Sequence, residues 1–298
     1  TRLLPLFGHS AAWQCRSLAS HSMSTMMSSS SSSCYRPIEC LTDPTHSACI
    51  WLNGSAGAER PCWAMMWNSA TTRCCTDGGA NLIFERVKSG AFRAPTMVSG
   101  DMDSIRPEVA DFFRSTHKCE MVHTPDQDKT DLHKCLEHVA MKMKKDQNHQ
   151  QHDSSRGAQA SAPKRVCVLG GLSGRFDHTM GVLNAMVCMC KEKPDIHVFA
   201  VDGENVCCVV PEGTHQVEMA RSLSTGVCGI IPICQQRTTV STKGFKWNLD
   251  NSDITFGGCV STSNEMESNE MSIRCSAPLL CTFEMKLPAT RMQMQLKS

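Results

Sequence analysis

Pro95-Thr96-Met97-Val98-Ser99-Gly100-Asp101-Met102-Asp103-Ser104-Ile105-Arg106-Pro107 begins as an apolar run, ends that run on a glycine, and carries two aspartates two positions apart before a proline that opens a helical pattern. A strand that hands over to a helix is the repeating junction of α/β sheets, and it is where such sheets bind phosphates. Two carboxylates at that junction would repel an anionic substrate unless a divalent cation lay between them. The pattern therefore points to Mg2+ and a polyphosphate.

The same alternation extends in both directions from this stretch. Short apolar runs at 48–52, 73–76, 95–99, 119–123, 165–169 and 195–201 are separated by helical patterns near 61–70, from 80, at 107–116, 130–145 and 176–190. Strand alternating with helix predicts a mainly parallel sheet flanked by helices. After about Asn205 the helical periods vanish. Short β-type runs at 206–210, 229–233, 238–242, 253–256 and 279–283, broken by Gly, Pro and Asn, predict an all-β antiparallel sandwich. The expected organisation is a leader over 1–40, an α/β nucleotide-binding domain over 41–208 with a solvated loop at 145–164, and a β-sandwich domain over 209–298.

Composition narrows the function classes. The chain has 298 residues, 41% of them hydrophobic, enough for sizeable cores. Thirty basic residues against 29 acidic ones leave a net charge of +1, so no global field recruits nucleic acid or an anionic membrane. No apolar run approaches the roughly 20 residues needed to cross a bilayer. The 19 cysteines are scattered, odd in number and without a Cys-x-x-Cys pair, which reads as buried free thiols in a reduced compartment rather than a disulfide framework or zinc site. Residues 1–38 hold Arg2, Arg16 and Arg36, no acidic residue, and the run Ser28 to Ser33, a composition expected outside the fold, with a cytoplasmic protein as the main reading and a mitochondrial transit segment as the alternative.

Three further junctions carry chemistry. Thr76-Asp77-Gly78-Gly79-Ala80-Asn81 follows a strand and opens a helix, where glycines let backbone N–H groups approach a phosphate. Thr124-Pro125-Asp126-Gln127-Asp128-Lys129-Thr130-Asp131 brings three carboxylates to another helix start; Thr130 or Asp128 serves there as an N-cap, which accounts for one acid and not three. Gly170-Gly171-Leu172-Ser173-Gly174-Arg175-Phe176-Asp177 supplies glycines and a guanidinium suited to bidentate phosphate contact, without a Walker or Gly-x-Gly-x-x-Gly pattern.

Together these motifs, with Gly244-Phe245-Lys246-Trp247-Asn248-Leu249 and Val260-Ser261-Thr262-Ser263-Asn264, resemble those of the thiamin pyrophosphokinases. That family moves the pyrophosphoryl group of ATP onto the hydroxyl of thiamin. The resemblance spans roughly 48–285 and implies an α/β domain followed by a β-sandwich, working as a homodimer with thiamin near the subunit interface. It makes Asp101, Asp103 and Asp131 the Mg2+ and catalytic carboxylates. Asp77, Gly78, Gln127, Asp128, Thr130, Arg175 and Asp177 would frame ATP, while Trp247, Ser261, Ser263 and Asn264 would face thiamin. Asp131 is the expected proton acceptor, with Asp128 as its competitor. Trp247 taken alone reads equally as a core residue. Leu82 stands where the family usually has arginine. The alternatives are an Asp-nucleophile, Mg2+-dependent phosphatase or mutase, and a non-catalytic thiamin- or nucleotide-binding relative; Asp103-Ser104-Ile105 lacks the Gly-Thr expected of the former.

Overall fold

The computed structural model describes residues 33–39, 47–54, 61–151, 164–234 and 236–286. Most of the expected leader, the 152–163 part of the expected loop, and the tail from 287 lie outside these.

The large sheet has ten strands. Its parallel half comprises β2 (Ser47–Trp51), β3 (Thr72–Thr76), β4 (Met97–Gly100), β5 (Glu120–His123), β6 (Lys164–Leu169) and β7 (Ile196–Asp202). The helices between them are α1 (Pro61–Ser69), α2 (Gly79–Lys88), α3 (Pro107–His117), α4 (Asp131–Gln151) and α5 (Phe176–Glu192). The strand order runs β7-β6-β2-β3-β4-β5, all pairs parallel. Chain direction across the sheet diverges between β2 and β6, and such a switch point opens a crevice at the carboxyl ends of the strands.

Alternation along each strand sorts its side chains onto two faces. Cys49, Trp51, Cys75, Val98, Cys167 and Leu169 join one core with α1, α2 and α3, whereas Ala48, Ile50, Cys74, Met97, Val166 and Val168 join another with α4 and α5. Trp51 meets Trp63 and Trp67 edge-on at 5.2 and 5.8 Å between ring centroids. Strands buried on both faces read as continuous apolar runs, and that is why this half was legible.

The sheet does not stop at residue 202. A tight Gly203-Glu204 turn sends β8 (Asn205–Val210) back antiparallel to β7, and β15 (Leu279–Met285), β10 (Ser224–Pro232) and β13 (Ser261–Glu265) extend the same sheet. A second, five-stranded sheet, ordered β1-β9-β14-β11-β12, is built from β1 (Cys34–Tyr35), β9 (Gly213–Glu218), β14 (Glu270–Cys275), β11 (Thr238–Lys243) and β12 (Ser252–Ile254). Its Val217, Val240, Met271 and Ile273 share one core with Val206, Cys208, Ile230 and Phe283 of the large sheet, which makes the sandwich.

Two expectations are corrected. The end of the leader belongs to the fold: Cys34 and Tyr35 pair with Gln216 and Val217, and Tyr35 and Ile38 are buried. Helix α4 also continues past Lys145 to Gln151, into the expected loop. Every cysteine among the described residues is a free thiol.

Candidate active site

Asp77 follows β3 directly and is buried. Its Oδ2 accepts the Ser104 N–H at 2.8 Å and its Oδ1 the Ile105 N–H at 3.0 Å, so this carboxylate ties the turn after β4 to the end of β3. Burial pushes its pKa up against the pull of those two N–H groups, and neighbouring Asp103 and Asp101 push the same way. Gly100 is required here because a Cβ would lie 2.6 Å from the Asp77 Cβ. Met102 then takes φ 64°, a left-handed conformation uncommon for a residue with a side chain and often found where a site constrains the backbone.

The result is that Asp77, Asp101 and Asp103 each offer a carboxylate oxygen within 4.8 Å of the others. Slight burial raises the Asp101 carboxyl, but the Asp103 N–H, the Gln127 amide and the Lys134 charge outweigh it and hold the group below the usual aspartate range. Gln127 Nε2 donates to Asp101 Oδ2 at 3.4 Å, and Ser104 Oγ donates to Asp103 Oδ1 at 2.8 Å.

Asp131 is not in this group. It opens α4 in an ion pair with Lys134, Nζ to Oδ1 2.9 Å. Lys134 is only 5% exposed and also donates to the carbonyls of Thr124 (2.9 Å) and Asp126 (2.8 Å), so one ammonium folds the 124–131 loop. Thr130 Oγ1 accepts the His133 N–H at 3.3 Å, the N-cap role weighed from sequence. Asp128 is exposed, and its N–H donates to Asp126 Oδ1 at 2.8 Å.

At the next junction Arg175 and Asp177 form an exposed ion pair, Nε to Oδ1 3.1 Å, and that pairing holds Asp177 below the usual range. The glycine loop before them is pinned from below by Asp202, whose Oδ2 accepts Leu172 N–H at 3.0 Å and Ser173 Oγ at 2.7 Å. Gly171, at φ +88°, has no room for a Cβ, which would meet Leu52 Cδ1 at 2.6 Å. Gly78 packs on the side chain of Asn53, at the end of β2. Lys134, Asp202 and Asn53 were missed from sequence. Asp202-Gly203 and Asn53-Gly54 after apolar runs were the available signals.

The second patch lies on the sandwich. Trp247 is 53% exposed, not core, and Lys246 Nζ sits over its ring at 4.7 Å. Asn264 is buried and its amide is used on Trp247, accepting that residue's N–H at 3.2 Å and donating to its carbonyl at 2.9 Å, with Ser261 Oγ 3.3 Å away. Asn264 thus positions the indole. Ser263 stays exposed at φ 55°. Leu82 is exposed on α2.

A doubly covered parallel sheet with three acids grouped at its carboxyl edge, continued into a sandwich bearing an exposed indole, belongs to the α/β class whose strand ends carry phosphate-binding sites. Comparisons with known proteins agree. The family model described as thiamin pyrophosphokinase, catalytic domain, matches residues 63–200, and that described as thiamin pyrophosphokinase, vitamin B1 binding domain, matches residues 214–280. Thiamin pyrophosphokinase 1 of Caenorhabditis elegans is 34% identical over 255 residues, covering 84% of this chain and 94% of that protein. Thiamine pyrophosphokinase 1 of Arabidopsis thaliana is 30% identical over 267 residues, covering 86% and 92% respectively. Among solved structures, thiamin pyrophosphokinase from Candida albicans superposes with a TM-score of 0.71 at 20% identity, covering 88% of this chain and 96% of that one, a likeness of fold. The chain belongs to the thiamin pyrophosphokinase family and is an enzyme of that type.

Proposed function

We propose that this chain transfers the pyrophosphoryl group of ATP to the hydroxyl of thiamin, releasing AMP, with Asp101 and Asp103 as the metal-holding carboxylates. The observation that carries this reading is the grouping of Asp77, Asp101 and Asp103 within 4.8 Å in a chain matched by both family models. An all-oxygen donor set suits Mg2+. Both oxygens of Asp77 already accept backbone N–H groups, so Asp77 backs the pair while Asp101 and Asp103 face outward. Bound there, Mg2+ would offset phosphate charge.

The chain's own groups do the remainder. Arg175, exposed beside the Gly170–Gly174 loop, is free to exchange Asp177 for phosphate oxygens. The Gln127 amide orients Asp101. An alcohol loses its proton only as its bond to phosphorus forms, so a carboxylate must stand close at that moment. Asp131 spends its charge on Lys134, whereas the Asp128 carboxylate has no hydrogen-bond partner among the described residues. Asp128 is therefore the carboxylate left free of the two, and we assign the proton to it. Asp128→Asn should lower kcat by roughly a hundredfold; near wild-type turnover in that variant overturns the assignment.

The indole of Trp247 already holds one cation on its face, and cationic thiamin suits the same surface. Along the large sheet this patch lies far from the carboxylates of its own chain. β13 and β4 stand eight strand spacings apart in the sheet, roughly 38 Å at about 4.8 Å per strand. Two copies that exchange these halves complete the site, which supports a homodimer with the active site at its interface. No helix among the described residues is long and apolar enough to cross a membrane. For location we favour the cytoplasm, and a reporter fused to residues 1–40 that concentrates in mitochondria would overturn that.

Incubation with thiamin, ATP and Mg2+ should yield thiamin diphosphate and AMP in equal amounts. ADP with thiamin monophosphate would refute the pyrophosphoryl assignment.

A further inference from the structure

We propose that His133, Glu137 and Glu192 form a second metal site, for a divalent ion of the zinc class, that clips α4 to α5. His133 and Glu137 stand one turn apart on α4, and Glu192 is the last residue of α5. Each offers a donor atom within 4.8 Å of the other two, and His133 Nε2 lies 3.9 Å from Glu137 Oε1. The independent observation is His133 itself. The residue is 7% exposed, and its buried Nε2, on the side of the Glu137 carboxylate, has no hydrogen-bond partner. An orphaned imidazole nitrogen is costly in a protein interior, and the commonest uses of such a nitrogen are a proton or a metal.

The donor set decides which metal. Oxygen-only clusters suit Mg2+, whereas imidazole joined to carboxylates favours Zn2+ and its neighbours in the transition series. Donors around a tetrahedral zinc stand roughly 3.4 Å apart, so the three side chains would have to draw closer around the ion. At present the Lys129 ammonium occupies one oxygen, Nζ to Glu137 Oε1 2.6 Å. The two glutamates therefore already draw a cation, and a divalent ion would compete with Lys129 for it. The carboxylate cluster at Asp77, Asp101 and Asp103 shares no residue with this site.

The test uses full-length protein stripped with chelator and titrated with Co2+. A tetrahedral nitrogen-containing site absorbs strongly in the visible, whereas Co2+ in an oxygen-only octahedral site absorbs weakly. One equivalent should produce the strong bands. His133→Ala and the shape-preserving Glu192→Gln should abolish them, and Lys129→Met, which removes the competitor, should tighten binding about tenfold. Zn2+ should raise Tm by several degrees in the wild-type chain and not in His133→Ala. Absence of strong bands, bands unchanged by His133→Ala, or thiolate bands that survive His133→Ala and vanish on thiol alkylation, which would assign the ion to scattered cysteines, each overturns the proposal. None of these readouts uses turnover, so the outcome stands apart from the thiamin pyrophosphokinase reading.

Discussion

Gly100 shows how a single missing atom sets the geometry of the carboxylates. Any Cβ there would meet Asp77 Cβ at 2.6 Å and its Cα and Cγ at 3.4 Å, none of them the far end of a flexible chain. Gly100→Ala should displace Asp77, loosen the 101–105 turn it holds, and cost about 1 to 3 kcal/mol. Thermal unfolding and steady-state kinetics together check this: Tm should fall by several degrees and kcat/KM by at least tenfold. An unchanged kcat/KM would show that Asp77 does not set the spacing of Asp101 and Asp103. Residue type was legible at this scale, because a glycine before two acids at a strand end has few explanations. Which acids converge was not legible. Asp131 looks like a natural companion for Asp101 and Asp103 in sequence, but it turns to Lys134, while Asp77, from the neighbouring strand, takes the third place.

Between elements, two buried groups hold neighbouring parts of the chain in register. Lys134 joins α4 to the loop after β5 through two carbonyls and Asp131. Lys134→Met would leave those acceptors and a half-exposed carboxylate without their donor, at a cost of roughly 2 kcal/mol. A fall in Tm of several degrees, with KM for ATP rising more than kcat falls, is the expected result. Tyr35 of β1 stacks on His197 of β7 at 4.0 Å with 11° between the rings, and His215 of β9 approaches edge-on at 5.8 Å from Tyr35. Burial pushes His197 down to about 4, with the charges of His215 and Arg165 adding and that of Asp195 opposing. The unfolded chain, with an ordinary value of about 6.5, then binds the extra proton between pH 6.5 and pH 4, so stability is full above that window and is lost as pH falls through it. The loss from this group amounts to about 2 kcal/mol between pH 7 and pH 5. His197→Phe keeps the stack and should shrink the difference in Tm between those two pH values; an unchanged difference would place the acid sensitivity elsewhere. For most strands legibility followed burial, β5 with its exposed ends being the exception. The runs of β2, β6 and β7 are wholly buried, but β9 and β14 alternate buried and exposed residues in short polar segments and went unseen.

Across the whole molecule, the decisive quantity is the separation of the two patches along the ten-stranded sheet. If each site takes its carboxylates from one copy and its indole from another, two inactive variants should complement. Asp101→Asn and Trp247→Ala, each nearly inactive alone, should on mixing and subunit exchange recover about a quarter of wild-type activity, because half the dimers are mixed and each of those holds one intact site. Recovery no greater than the sum of the separate variants would place both halves of the site in one chain. The same sheet also unites the two regions expected as separate domains, since β7 and β8 pair directly across Asp202 and Asn205.

The sequence by itself determined the fold class, the order of the strand-to-helix junctions and the residue types at each. These are written locally, in hydrophobic period and in glycine, proline and aspartate at turns. Only the tertiary structure decided that Asp77 joins Asp101 and Asp103, that Lys134 and Asp202 brace the loops, that Trp247 is exposed, and that His133 meets Glu192. Each of those depends on which strands and helices become neighbours. Sheet order and helix packing are fixed by contacts between residues far apart in the chain, and spacing along the sequence does not encode those distances.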